Sequence, residues 1–167
     1  RPAVDSRRNV ESFSPEKVRF VRFTTEATSD HSEPCIDELE LWTTGKDSRN
    51  AALGAKSTSS GNYANNPKHK LIHLNDGKYG NDHSWISNQK GQGWVQLELT
   101  ESVFIDRIEW GRDRTGRYKD RLPTKYRIEG GLEPGKWFLL TNSNDRLPFK
   151  TEKTKPTSRY DFSLHPS

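Results

Sequence analysis

The sequence predicts an all-β fold of the sandwich or barrel type. No segment keeps a 3.6-residue apolar repeat over three turns, whereas several short segments alternate apolar and polar residues between turn-forming clusters. The chain of 167 residues is about the size of one domain. Only 29% of it is hydrophobic, but its five Trp, seven Phe and five Tyr can fill a small core with large side chains.

The first half of the chain holds two strong strand signals. Residues 17–25 (KVRFVRFTT) are rich in Val, Phe and Thr, which favour strands. Residues 35–42 (CIDELELW) alternate, so that Glu38 and Glu40 share one face and the leucines share the other. By the same alternation, Asp37 is expected to point away from these two acids.

A long stretch rich in Gly, Ser and Asn follows, from residue 43 to residue 92. Within it we expect a short strand in NAALGAKSTSS (50–60) and a helical turn or short strand in HKLIHL (69–74). Structureless loops of this length are uncommon in compact domains, so we expect specific contacts to fix this region to the sheet.

The remaining strand signals lie in the second half. GWVQLELT (93–100) alternates cleanly between apolar and polar residues, and SVFIDRIEWG (102–111) predicts a further strand. TKYRIEGG (124–131) and GKWFLLTN (135–142) flank a Gly/Pro-containing turn, which is typical of a hairpin.

These elements predict one domain over residues 17–150. Residues 1–16 are polar and without periodicity, so they are interpreted as a tail or linker. Residues 151–167 are interpreted as a C-terminal tail in which YDFSL is a candidate edge strand. Because the chain contains no Met, we expect it to be a processed domain or a part of a larger protein.

Composition and charge narrow the function classes. No apolar run reaches the 18 residues of a membrane span, and the single Cys35 has no partner for a disulfide. The net charge of +4 hides a segregation, because residues 26–48 carry seven acids and one Lys while residues 107–127 carry eight Lys/Arg and three acids. Two local fields of opposite sign, without a known nucleic-acid motif, disfavour a nucleic-acid binder.

Catalytic motifs are not apparent in the sequence, and an enzyme is not expected. His69 and His73 are four residues apart, but this spacing serves zinc only on a helix with a third ligand, and the usual intervening Glu is missing. Cys35 precedes a strand and is interpreted as a small buried residue rather than a nucleophile.

Five motifs in the chain carry a family resemblance. They lie at residues 50–52 (NAA), 76–85 (DGKYGNDHSW), 94–99 (WVQLEL), 105–110 (IDRIEW) and 126–137 (the YRIEG…KW hairpin). Their order resembles the discoidin family, also called the coagulation factor 5/8 type C family, which overlaps with galactose-binding-like family 32 carbohydrate-binding modules. The resemblance implies a jelly-roll β-sandwich.

The order of two elements departs from that family. Its closing strands are similar to VRFVRF (18–23) and IDELELW (36–42), which come first here. We therefore predict a circular permutant; the alternative is the tail of one such domain fused to the start of another. The motifs are also similar to domains of large multidomain planctomycete proteins that carry cytochrome-like modules.

The segment DGKYGND (76–82) is a candidate calcium loop. Its oxygen-rich side chains and turn-forming glycines suit a hard cation, although a metal-free turn in which Asp76 caps local amides explains the same residues. The resemblance implies a structural Ca²⁺ held by Asp76 and by Glu38. It also implies a hydroxyl or amide ligand, for which Asn81 and Ser84 compete because two residues are inserted here.

The basic segment WGRDRTGRYKDRLP (110–123) is the candidate ligand loop. Its Arg112, Arg114 and Arg117 suit carboxylate or sulfate oxygens, and Tyr118 offers a face for a sugar ring. Residues 61–70 (GNYANNPKHK) are expected to form an opposing wall. The alternatives are local ion pairs on a solvated loop, such as Arg112 with Asp113 and Asp120 with Arg121, and a protein contact.

The resulting expectation is a non-catalytic carbohydrate-binding module with a structural calcium ion. Its partner would be a glycan, with anionic glycans favoured by the arginines, and its location extracytoplasmic or secreted. The alternative is a protein-interaction or scaffold module that docks onto other domains of its parent. Neither membrane insertion nor nucleic-acid binding is expected.

Overall fold

The alternating and aromatic-rich segments form eight β-strands, which confirms the predicted all-β fold. The computed structural model describes residues 1–150 of the chain. In chain order the strands are β1 (Asn9–Thr28), β2 (Cys35–Ile36), β3 (Glu38–Thr43), β4 (Lys56–Ser59), β5 (Trp85–Ile86), β6 (Gly93–Gly111), β7 (Pro123–Gly131) and β8 (Phe138–Asn142). Two short 3₁₀ helices, Leu71–Asn75 and Asn81–His83, lie between β4 and β5.

Six strands form one antiparallel sheet, and two form a small second sheet. The order in the large sheet is β3-β6-β1-β7-β8, and β4 also pairs with β6. The 19-residue β6 pairs with β1 on one side, while β4 and β3 pair with its first and last parts on the other. The predicted strands at 93–100 and 102–111 are therefore one continuous strand, and the predicted hairpin is β7–β8.

The core lies between these sheets and is built from alternating residues and stacked aromatic rings. Val95, Leu97 and Leu99 of β6 are buried, as their alternation predicts. Phe23 contacts Trp110 edge-on and Tyr126 in a stacked arrangement, with ring centroids 5.1 Å apart in each pair. Large rings thus supply the core of this polar chain.

The predicted boundary at residue 16 is wrong, because the first sixteen residues belong to the domain. Strand β1 begins at Asn9. Val4 is buried in the core, and the Ser6 carbonyl accepts hydrogen bonds from the backbone amides of Arg112 and Asp113 at 2.8 and 2.9 Å. The sequence predicts a tail because the segment is polar, whereas in the structure its Arg1, Arg8 and Glu11 are ion-paired with residues of the domain. The predicted C-terminal tail, 151–167, lies outside the described residues.

Within residues 1–150, no helix is long and apolar enough to cross a membrane.

Candidate ligand cleft and acidic loop anchor

Buried carboxylates at the start of β3 hold the loop that follows the first 3₁₀ helix. One oxygen of Glu38 accepts the backbone N–H of Gly77 at 2.8 Å, and one oxygen of Asp37 accepts that of Gly80 at 2.9 Å. Both glycines have positive φ, +79° and +105°, which turns their amides inward. The predicted specific contacts between this loop and the sheet are thus present.

Glu40 also holds this loop, by contacting the side chains of Tyr79 and Arg114. Its carboxylate accepts the Tyr79 hydroxyl at 2.6 Å and the Arg114 guanidinium at 3.0 Å, and that guanidinium lies 4.2 Å from the centre of the Tyr79 ring. Asp37 was predicted to point away from Glu38 and Glu40, but all three acids contact one loop. The reason is that Asp37 lies between β2 and β3, where regular strand alternation is interrupted.

Two of the four predicted calcium ligands lie together. The Glu38 and Asp76 side chains are neighbours, close enough for the Asp76 charge to raise the Glu38 pKa. Burial, together with the charge of Asp76, raises the pKa of Glu38 to about 9, against the opposing hydrogen bond from Gly77. The second Glu38 oxygen is buried and has no hydrogen-bond partner. An unpaired buried oxygen beside a second carboxylate fits a bound cation.

The other two predicted ligands do not join this pair. The Asn81 side-chain oxygen accepts the Arg112 guanidinium at 3.0 Å, and the Ser84 hydroxyl lies 2.8 Å from Nδ1 of His69 and 2.7 Å from the Asn81 carbonyl. A cation beside the Arg112 guanidinium would be repelled. The carboxylates of Glu38 and Asp76 therefore fit a calcium ion, and the side chains of Asn81 and Ser84 do not.

The two predicted walls, the 61–70 segment and the basic loop, border a polar cleft. A cavity of about 170 Å³ lies between them and adjoins one of about 440 Å³ along the 61–70 segment. Tyr63, Asn66 and His69 line both cavities, so they form one continuous depression. From the basic loop and its neighbours, the smaller cavity is lined by Asn81, Ile86, Arg112, Tyr118, Asp120 and Arg121.

Arg112 forms the inner wall of this cleft rather than an exposed anchor. It is only 2% exposed. Its guanidinium donates to the backbone carbonyl and the carboxylate of Asp120 at 2.6 and 2.8 Å, to Asn81, and to Sγ of Cys35 at 3.1 Å. A buried guanidinium needs such partners, so the role of Arg112 is to hold these loops together. Arg112 is therefore not the free ligand-binding group that the sequence predicts.

The other predicted ligand residues separate into two places. Tyr118 is 40% exposed and lines the cleft. Arg117 is exposed at the rim, with its guanidinium 5.9 Å from the centre of the Tyr118 ring. Arg114 instead pairs with Glu40 beneath the Tyr79 loop and does not line the cleft.

Asp113 fixes the shape of the basic loop. Its carboxylate accepts the backbone amides of Thr115, Arg117 and Tyr118 at 3.1, 3.0 and 2.9 Å. Burial opposes ionisation, but the Thr115 hydroxyl and these amides lower the pKa of Asp113 below its ordinary value. The predicted Arg112–Asp113 ion pair is thus replaced by a carboxylate-capped turn.

Within the two predicted walls, the structure identifies Tyr63, Asn66, His69 and Asp120 as cleft residues, to which the sequence assigned no ligand contact. Tyr63 is 38% exposed, and the Arg121 guanidinium lies 5.8 Å from the centre of its ring. Burial, with the nearby Arg112 and Arg121 charges, lowers the pKa of His69 and favours its neutral form.

Comparison with protein-family models, curated proteins and solved structures finds no match to this chain. The function is therefore inferred from the cleft, the carboxylates and the fold.

Proposed function

We propose that this chain is a non-catalytic carbohydrate-binding module that seats a glycan in the cleft between residues 61–70 and 112–121. The observation that carries this proposal is the pair of exposed tyrosines, Tyr63 and Tyr118, on opposing walls of one polar depression. The C–H face of a sugar ring packs against an aromatic ring while its hydroxyls need polar partners beside it.

The polar lining supplies those partners. The Asn66 amide can both donate to and accept from sugar hydroxyls, and Asp120 adds a carboxylate acceptor. Arg117 gives the rim an exposed positive charge, which favours uronic-acid or sulfated glycans, whereas Arg121 is paired with Glu33 at 2.9 Å and with Asp120 at 3.6 Å. Because Arg112 and Asp113 already fix the loop, little conformational entropy is lost on binding, which supports useful affinity in a shallow site.

The proposal includes a structural Ca²⁺ at Glu38 and Asp76. The unpartnered buried oxygen of Glu38 supports it. When bound, such an ion would link the loop at residue 76 to β3 and neutralise the two adjacent carboxylates. These residues do not line the cleft, so the ion would support the loops rather than contact the sugar.

A circularly permuted, discoidin-like jelly roll is the architecture proposed for this module. Support comes from the integration of the two front elements into the same sheet as the later strands. Residues 20–25 of β1 pair with both β6 and β7, and β3 pairs with the end of β6. One sheet containing each element once favours permutation over fusion of two partial domains. An extracytoplasmic location is proposed with it, since glycan ligands are abundant there.

The test is binding of the folded chain to a panel of neutral, sulfated and uronic-acid oligosaccharides, by array and then calorimetry. Tyr63→Ala and Tyr118→Ala should each weaken the strongest interaction at least about tenfold, as expected for central aromatic contacts. Phe104→Ala is the matched control, because Phe104 is an aromatic residue that is 52% exposed and outside the cleft. Absence of binding to every glycan, or equal binding by all three variants, would contradict the proposal.

A protein-interaction module is the second candidate. Among residues 1–150, strand β8 is at the edge of the large sheet, and Phe138 and Leu139 on it, with nearby Leu132, are 36%, 56% and 53% exposed. Exposed apolar side chains at the edge of a sheet suit docking of another domain. Binding to a separately produced domain of the parent protein, lost in Leu139→Ser and kept in Tyr118→Ala, would favour this function.

A further inference from the structure

A second group of potential metal ligands lies on the outer side of the loop that Glu38 anchors. It consists of His73 in the first 3₁₀ helix, Asp76 directly after it, and His83 in the second 3₁₀ helix. One donor atom of each side chain lies within 4.8 Å of the other two, and all three residues are half-buried. Two imidazoles and one carboxylate are a ligand set for divalent transition metals.

We propose that His73, Asp76 and His83 bind a divalent transition-metal ion of the Zn²⁺ type, with the remaining coordination positions open to solvent. This site is separate from the glycan cleft and does not depend on glycan binding. It shares Asp76 with the proposed calcium position but differs from it in its other ligands, because imidazole nitrogen suits Zn²⁺ whereas Ca²⁺ takes oxygen.

The orientation of His73 supports metal binding. Its Nδ1 lies 3.0 Å from the backbone carbonyl oxygen of Lys68, and a carbonyl can only accept a hydrogen bond. Nδ1 therefore carries the proton, which leaves the lone pair on Nε2. A metal-binding histidine is commonly oriented in this way by a backbone carbonyl on its other nitrogen.

Asp76 is also oriented. Its Oδ1 accepts the backbone amide of Lys78 at 2.9 Å, and its Oδ2 lies 3.9 Å from Nδ1 of His83. The rings of His73 and His83 have centroids 5.4 Å apart. An ion pair at 3.9 Å between partly exposed groups contributes little to stability. Coordination of one shared cation explains better than this weak pair why the three side chains converge.

Metal coordination requires only a small movement of the three side chains toward one another. Ligand atoms around a tetrahedral zinc, with bonds of about 2.0–2.1 Å, are roughly 3.4 Å apart. The three donor atoms, which lie within 4.8 Å of one another, must therefore approach by up to about 1.4 Å. Rotation of half-buried side chains on short 3₁₀ helices can supply this movement without disturbing the core.

The primary experiment is titration of metal-stripped, tag-free protein with ZnCl₂ by calorimetry, with Co²⁺ absorption as a second readout. One saturable site is expected, with a thermal midpoint that rises with Zn²⁺ concentration. His73→Gln, His83→Gln and Asp76→Asn should each weaken Zn²⁺ binding at least about tenfold. His31→Asn is the matched control, because His31 is exposed, lies outside the cluster, and has a positive φ of 65° that Asn tolerates.

A measurement on the unaltered chain guards against variants that fail to fold. Addition of Co²⁺ should broaden or shift the imidazole NMR resonances of His73 and His83 before those of His31. Saturable binding that persists in both glutamine variants, broadening that affects all histidines equally, or absence of a saturable site would overturn the proposal.

The same titrations separate this site from the proposed calcium ion. Glu38→Gln should abolish the stabilisation by CaCl₂ and keep Zn²⁺ binding, because Glu38 is not in the histidine cluster. The histidine variants should keep the response to CaCl₂ and lose Zn²⁺. Zn²⁺ binding that is lost in Glu38→Gln but kept in His73→Gln and His83→Gln would overturn the histidine site and leave only the oxygen site.

Discussion

Replacement of Glu11 by Ala is predicted to be among the most destabilising single changes in the chain. The Glu11 side chain is fully buried, and one of its oxygens accepts Nε1 of Trp110 at 2.9 Å, the Tyr126 hydroxyl at 2.5 Å and the Arg146 guanidinium at 3.0 Å. Its other oxygen accepts the Arg1 guanidinium at 2.6 Å. One carboxylate thus joins β1 to β6, to β7 and to the segment after β8.

The expected loss follows from what the substitution leaves behind. Arg146, whose side chain is 5% exposed, would keep a buried charge without its carboxylate, and Trp110 and Tyr126 would lose their acceptor. Removal of one partner from a buried ion pair costs about 3–5 kcal/mol. For a domain of this size, about 2–4 °C of melting temperature corresponds to each kcal/mol, so a fall of about 6–20 °C is expected.

The assay is urea unfolding followed by Trp fluorescence, with Glu16→Ala as the matched control. Glu16 is on the same strand and exposed, so its replacement should change the unfolding free energy by no more than about 0.5 kcal/mol. A loss of less than about 1 kcal/mol for Glu11→Ala, close to the control value, would refute the structural role assigned to this carboxylate and to the first sixteen residues.

The contribution of the Glu11 carboxylate to stability depends on pH with a defined sign. Burial alone would raise the pKa of Glu11, but hydrogen bonds from Tyr126, Trp110 and Arg1 hold it below its ordinary value. The contribution of Glu11 is therefore present above the unfolded-state pKa, and it is lost as pH falls through the lower folded-state pKa. Glu11→Gln should flatten the acid side of the stability curve.

Two further predictions concern the groups that position the loops. Without divalent cations, the unfolding free energy should fall as pH rises from about 4.5 to about 9, by at most about 1.4 kcal/mol per pH unit, because folded Glu38 keeps a proton that the unfolded chain releases. Glu38→Gln should remove this fall in denaturation measured at pH 5 and pH 8; an unchanged slope would contradict the assignment. Arg112→Lys should lower stability by about 2–4 kcal/mol, because one ammonium cannot replace the forked contacts to Asp120 and Asn81. Exposed Arg117→Lys is its control, and equal melting temperatures for the two variants would show that the Arg112 fork is dispensable.

Local pattern was sufficient for much of the fold. The alternation at residues 93–100 correctly identified which face of β6 is buried, because a strand reverses its side chains at every residue. The Gly/Pro turn correctly placed the β7–β8 hairpin. The family resemblance, rather than local pattern, implied that the segments at 61–70 and 110–123 wall one site, and both line the cleft.

Other features depended on partners far along the chain. The segment around Glu11 looked like a polar tail because the donors that pair with Glu11, on Trp110, Tyr126 and Arg146, are about 100 or more residues away. Arg112 looked like an exposed ligand group for a similar reason, as its burial depends on contacts to Asn81 and Cys35. A charged residue can be exposed to solvent or buried with a partner, and its sequence neighbours do not reveal which of the two is the case.

The sequence by itself determined the all-β class, the strand faces of β6 and the β7–β8 hairpin, because strand alternation and turn chemistry act between near neighbours. Only the tertiary structure decided that the N-terminal segment is part of the sheet, that Asn81 and Ser84 lie apart from Glu38 and Asp76, and that His73 and His83 converge on Asp76. These features depend on the joint burial of charged and polar groups that are distant in the chain. The free energy of burying each group depends on its partner rather than on its position in the sequence.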